Sequence, residues 1–192
     1  MDVGINLNSE GPSSLYMSYL LLVIDFQERL LRHIHGSDDV LRSAVKLIRA
    51  CKILGVPIIL TEQIKLGETV KEVREATGVE PILKSSFSCV KCEQVRASLE
   101  EVRPSTVILA GIEAHICILQ TALDLLELGY KVYIPVDCIG SRRPLDKEVA
   151  VQRMISAGAI PTTWESLVYE MLGSAEHEKF REILGIVKSN GS

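Results

Sequence analysis

The 192-residue chain is long enough for one domain with a sizeable core, and its composition (47% apolar, 24% charged) is that of a folded globular protein. Its net charge of −4 gives no electrostatic footprint for nucleic acid or an anionic membrane, and no apolar run approaches the ~18–20 residues a membrane-spanning helix needs. The five cysteines are an odd number, several of them in apolar segments. Free thiols in a reducing compartment, hence a cytoplasmic protein, are the expectation.

Residues 1–17 (MDVGINLNSEGPSSLYM) lack the basic and apolar blocks of a leader and read as a disordered polar lead-in, leaving the fold to 18–192. SYLLLVIDF (18–26) is a buried strand ending on an acid, Asp25. Apolar residues at helical spacing then predict a helix over 38–55, capped by Ser37 or Asp38 and stopped by Gly55. VPIILT (56–61) is a second strand, followed by a polar irregular stretch over 62–80 that is longer than ordinary connections.

EPILKSSFS (80–88) reads as an extended piece running into a turn, and 89–102 as a helix capped by Ser88. TVILAGI (106–112) is a strand covered on both faces, leading into a helix over 114–129. A strand at 131–140, a helix at 145–158, a strand at 159–163 and two short helices near 164–171 and 176–187 complete the chain. Such alternation predicts an α/β fold, a doubly wound (Rossmann-like), mostly parallel sheet of about six strands with helices on both faces.

The usual signatures of this architecture are missing. No GxGxxG follows the first strand, no GxxxxGK[ST] appears, and no GxSxG elbow is present. No HxxxH or paired CxxC supplies a zinc set, so no metal or other cofactor is expected. The lone CxxC, Cys89 and Cys92, is either a redox pair at a helix start or two helix cysteines without special role.

Three residues stand out by position. Asp25 ends the first strand, Lys84 ends another extended piece, and Cys117 opens the helix after TVILAGI. All three fall on the side of the sheet where such folds bind ligands. A thiol in the first turn of a helix faces unpaired N–H groups and the positive end of the dipole, which predicts a lowered thiol pKa.

The motifs DFQ (25–27), LKSSFS (83–88) and GIEAHIC (111–117), in that order and spacing, resemble the isochorismatase-like cysteine hydrolase superfamily. The similarity runs from about Tyr19 to about Trp164 and is greatest to short single-domain isochorismatase domain-containing proteins. It implies a cysteine hydrolase of a small amide-like or related C–N substrate. Asp25 would be the general base, Lys84 the cation and Cys117 the nucleophile that forms a thioester. It further implies an oxyanion hole from the backbone N–H groups of Glu113 and Cys117, with a cis peptide between Ile112 and Glu113.

Phe26, Gln27, Gln63, Phe87 and His115 lie beside these segments and are pocket candidates; His115 could equally face solvent or a subunit neighbour. Trp164 reads as core or interface. Nicotinamidases of the superfamily carry metal-binding histidines where this chain reads Thr61-Glu62-Gln63-Ile64, which speaks against a metal and against nicotinamide. The cysteine speaks against isochorismate, whose vinyl ether needs an acid rather than a thiolate. The family's habit implies a homodimer or higher homo-oligomer. The rival reading is a catalytically silent binding or scaffold protein on the same fold.

Overall fold

The structure, a computed structural model, describes residues 18–189. The disordered lead-in expected over 1–17 lies outside the described residues. Seven strands and eight helices alternate along them. The strands are β1 (Tyr19–Ile24), β2 (Ile58–Gln63), β3 (Ile82–Lys84), β4 (Thr106–Ile112), β5 (Lys131–Pro135), β6 (Ile139–Gly140) and β7 (Ile160–Thr162). Every pairing is parallel, in the order β3-β2-β1-β4-β5-β7, with the two-residue β6 joined to the end of β4.

Side chains alternate across each strand, so β1 feeds two separate cores. Leu21 and Val23 pack with Ala44, Leu47, Ile48 and Trp164 from α2 (Ser37–Ile53) and α7 (Trp164–Leu172), a layer completed by α3 (Lys71–Thr77) and α8 (Phe180–Lys188). Leu20, Leu22 and Ile24 face the other way, onto Val95, Leu99, Ala122, Leu125 and Met154. Those residues belong to α4 (Glu93–Val102), α5 (Leu119–Glu127) and α6 (Pro144–Ser156). Trp164 is a core residue, with the Lys46 ammonium 5.5 Å from its ring centroid.

Several boundaries differ from expectation for identifiable reasons. Gly36, in the left-handed region at φ 64°, occupies the cap position of α2, so neither Ser37 nor Asp38 does. The 62–80 stretch is not structureless: Val73, Ala76 and Thr77 bury one face of α3. Cys89–Lys91 is a single 3-10 turn before α4, and the Ser88 hydroxyl caps neither. A turn in which Cys138 N donates to Pro135 O splits the apolar run 131–140 into β5 and β6. A short α1 (Glu28–Leu31) has no buried residue and left no apolar pattern to read.

The chain leaves β1 toward β2 and β3 on one side, then returns to β4 on β1's other flank. The carboxyl ends of β1 and β4 are therefore the switch point, where open α/β sheets form their ligand crevice. Gly111 sets the spacing there. It pairs with Ile24 at φ 146°, and a Cβ in its place would run into the Ile24 carbonyl.

Candidate active site

Asp25 follows the last residue of β1 in the left-handed region, at φ 54°, which an aspartate tolerates better than most residues. That turn points its carboxylate across the sheet instead of along it. Lys84 arrives from the end of β3, two strands away, and its Nζ lies 2.7 Å from Asp25 Oδ2 with both side chains fully buried. The same Nζ is 2.7 Å from Gln63 Oε1, 3.3 Å from Ser86 O, 3.5 Å from Phe87 O and 3.8 Å from Cys117 Sγ. An ammonium has three protons. Two are taken by the short contacts, and the third is within reach of the sulfur.

Cys117 follows β4, inside a π-helical turn (Ala114–Ile118) that precedes α5. Such turns widen the backbone and recur at functional sites. The turn brings the Cys117 thiol to the buried pair, 3.8 Å from Lys84 Nζ and close enough to the Asp25 carboxylate to feel its charge. The peptide between Ile112 and Glu113 is cis, as the family resemblance implied; Glu113 caps the turn and Cys117 lies within it. The Glu113 carboxylate, itself buried, accepts from Arg142 Nε at 2.9 Å and so ties this turn to the loop after β6.

Electrostatics here reverse one expectation. Burial first, and the Asp25 carboxylate second, push the Cys117 thiol up to about 12, although Lys84 pulls the other way. The helix start does not prevail, because the thiol is only 5% exposed and has an anion beside it. Burial alone would lower the Lys84 ammonium, but Asp25, aided by Cys89 and Cys117, outweighs it and holds the proton above the usual lysine range. The resting arrangement is thus a protonated thiol, a carboxylate to receive its proton and a cation to meet the sulfur.

The remaining site candidates divide. Phe26 is wholly buried in the core under α2. Gln27 is fully buried too: its Nε2 donates to Gln63 O at 2.9 Å and Gly67 O at 2.6 Å, while its Oε1 accepts from Gln63 N at 2.8 Å. These two brace the site from behind. Gln63 is half-buried, with Nε2 donating to Ser85 O at 2.8 Å and Oε1 on Lys84. Phe87, 53% exposed, and the half-buried His115 are the candidates that reach the surface. The His115 ring Nδ1 lies 3.0 Å from Ser141 Oγ.

Thr61 escaped the sequence reading. Its hydroxyl donates to Asp25 Oδ1 at 2.8 Å, yet a threonine in an apolar strand carries no signal of that role. Glu62, beside it, accepts from Thr69 N and Oγ1, both at 2.7 Å, and pins the 64–70 loop. Among the described residues no group of three or more His, Cys, Asp or Glu could hold a metal. All five cysteines are free thiols.

A parallel sheet with helices on both faces and its polar residues gathered at the switch point is an isochorismatase-type hydrolase fold. The Isochorismatase domain matches residues 19–166, and the chain belongs to that family. It is 38% identical over 174 residues to isochorismatase domain-containing protein 2 of Macaca fascicularis, covering 89% of this chain and 83% of that one. Against isochorismatase domain-containing protein 1 of Salmo salar it is 39% identical over 169 residues, but spans only 59% of that protein's length. Among solved structures, the MAR1 ribonuclease of Caenorhabditis elegans superposes with a TM-score of 0.85 at 36% identity, with 92% of each chain covered.

Proposed function

We propose that the protein is a cysteine-dependent hydrolase of small amide-like or related C–N substrates, working through a thioester. The observation that carries this reading is the buried Lys84 ammonium, which contacts both Asp25 and Cys117 at the sheet's switch point. Asp25 takes the proton from the Cys117 thiol as the sulfur attacks the substrate carbonyl carbon. The third Lys84 proton meets the forming thiolate. The amides of Glu113 and Cys117 receive the oxyanion.

As the tetrahedral adduct collapses, the C–N bond breaks and Asp25 passes its proton to the leaving nitrogen. Water then gives a proton to Asp25 and attacks the thioester. The carboxylic acid leaves and the proton returns to sulfur, restoring the thiol and the carboxylate. Because the thiol holds its proton so strongly, a base in contact with it is a requirement of this chemistry and not an embellishment. Phe87 and His115, at the surface, are the side chains we assign to the substrate's entry.

The test is a panel of small amides and carbamoyl compounds incubated with the wild type and Cys117→Ala. Hydrolysis, with an acyl adduct seen by intact mass in the wild type and missing in the variant, is the expected result. Turnover that survives in Cys117→Ala sinks the thioester. The nematode relative is called a ribonuclease, so an RNA oligonucleotide belongs in the same panel; with net charge −4 no cleavage is expected.

We also infer a cytoplasmic homo-oligomer. Support for self-association comes from a structural neighbour, the YcaC gene product of Escherichia coli, described as an octameric hydrolase. Exposed Leu145 and Val149, one turn apart on α6, offer an apolar face for it. Among the described residues no helix is long and apolar enough to cross a membrane.

A further inference from the structure

We propose that Thr61 and Gln63, two residues apart on β2, are positioning residues that aim the Asp25–Lys84 pair at Cys117. Residues i and i+2 of a strand project from one face. Here that shared face meets the buried ion pair, with one side chain for each member. Thr61 Oγ1 donates to Asp25 Oδ1 at 2.8 Å, and Gln63 Oε1 accepts from Lys84 Nζ at 2.7 Å. Asp25 Oδ2 takes Lys84, so the carboxylate is gripped at both oxygens and cannot rotate freely.

The direction of the Thr61 bond follows from proton bookkeeping. A hydroxyl has one proton, and Asp25 as a carboxylate can only accept. Cys89 Sγ lies 3.9 Å from the same Oγ1, so with that proton spent on Asp25 the thiol must be the donor. Cys89 keeps its proton, since burial pushes its thiol up to about 12. The result is a one-way chain, thiol to hydroxyl to carboxylate, ending on the base. Cys89 is itself held in place, its backbone N–H donating to Thr121 Oγ1 at 3.0 Å.

Gln63 works on the other partner. Its Nε2 is spent on Ser85 O and its backbone N–H on Gln27 Oε1, so its orientation is fixed and its Oε1 must face Lys84. With Asp25 and Gln63 holding two ammonium protons, the third is left on the side of the sulfur, which it shares with the Ser86 and Phe87 carbonyls. The groups that share this pocket with Asp25 are Lys84, Cys117 and Cys89, from the end of β3, the π turn and the 3-10 turn.

The inference rests on the hydrolase reading, but its test needs no turnover. Iodoacetamide alkylation of Cys117 is followed by peptide mass mapping across pH in the wild type, Thr61→Val, Thr61→Ser and Gln63→Met. In Thr61→Val the carboxylate loses the bond that fixes one of its two oxygens, and alkylation of Cys117 slows about tenfold. Thr61→Ser restores it. Gln63→Met, which frees the Lys84 ammonium from its amide partner, lowers the rate by about tenfold as well.

A Thr61→Val profile that superimposes on the wild type, or a serine that fails to rescue, overturns the role of Thr61. An alkylation rate unchanged in Gln63→Met overturns that of Gln63. Should Thr61→Val not fold, Thr61→Ala carries the same expectation. Hydrolysis persisting in Cys117→Ala would defeat the thioester while leaving these profiles intact. A Cys117 that resists the reagent in every chain overturns both.

Discussion

A thiol that keeps its proton up to about 12 becomes a nucleophile only where a neighbouring base can take that proton. Asp25→Asn removes that base while keeping the shape, and activity on any substrate of the panel is expected to fall about a thousandfold, read as kcat/KM. Lys84→Met acts on folding as well. It strands the Asp25 carboxylate at a fully buried position, which costs about 3–5 kcal/mol, measurable by urea denaturation. The double variant Asp25→Asn with Lys84→Met is expected to recover part of that loss, because no charge is then left unpaired. Asp25, Lys84 and Cys117 stood out in the sequence as charged or nucleophilic residues at the ends of apolar runs, and the structure brings them together; the roles proposed for them come from the family resemblance. Thr61 did not stand out, since its partner lies on the neighbouring strand and only the pairing of β1 with β2 brings them together. The direction of the thiol shift was misread for a related reason: a helix start is visible in a sequence, but burial beside a carboxylate is not.

At the scale of elements, β4 was the clearest, because Thr106 opens a run of six apolar residues and all seven are buried. The short α3 was the least clear, because seven residues give barely two turns in which to show a period. What the elements deliver is registration. Gly111→Ala would force β4 off β1 at Ile24, and a loss of about 3 kcal/mol or more in thermal or urea unfolding is expected, together with slower alkylation of Cys117. The 64–70 loop is fastened by Gln27 and Glu62, with Arg29 Nη1 donating to Lys65 O at 3.1 Å. Gln27→Leu is expected to release it, seen as new tryptic cleavage after Lys65 under conditions where the wild type stays intact. A chain equally resistant in both forms would show that the amide is not the fastening.

For the molecule as a whole, the buried thiols govern behaviour in alkali. Cys51, Cys89 and Cys117 are each raised from 9.0 to about 12, the first of them by burial alone. Between those values the unfolded chain has shed protons that the folded one retains, so stability falls as pH rises. Each thiol contributes about 1.4 kcal/mol per pH unit in that window. Lys84, raised as well, contributes stability that is intact below the ordinary lysine value and is lost as pH rises through its folded value, so it pushes the same way. The urea midpoint is expected to be level to about pH 9 and to decline steeply above it, with a shallower decline in Cys51→Ala. The two cores on either side of the sheet give this molecule a division of labour. Cys117 and Cys89 belong to the layer under α4, α5 and α6, whereas α2, α7 and α8 pack on the opposite face. Wear on that second face, by truncation of Leu47 for instance, would weaken the scaffold while sparing the reactive side. The chain can therefore be tuned for endurance through one face and for chemistry through the other, with the sheet as the wall the two share and Asp25 at the end of its strand β1.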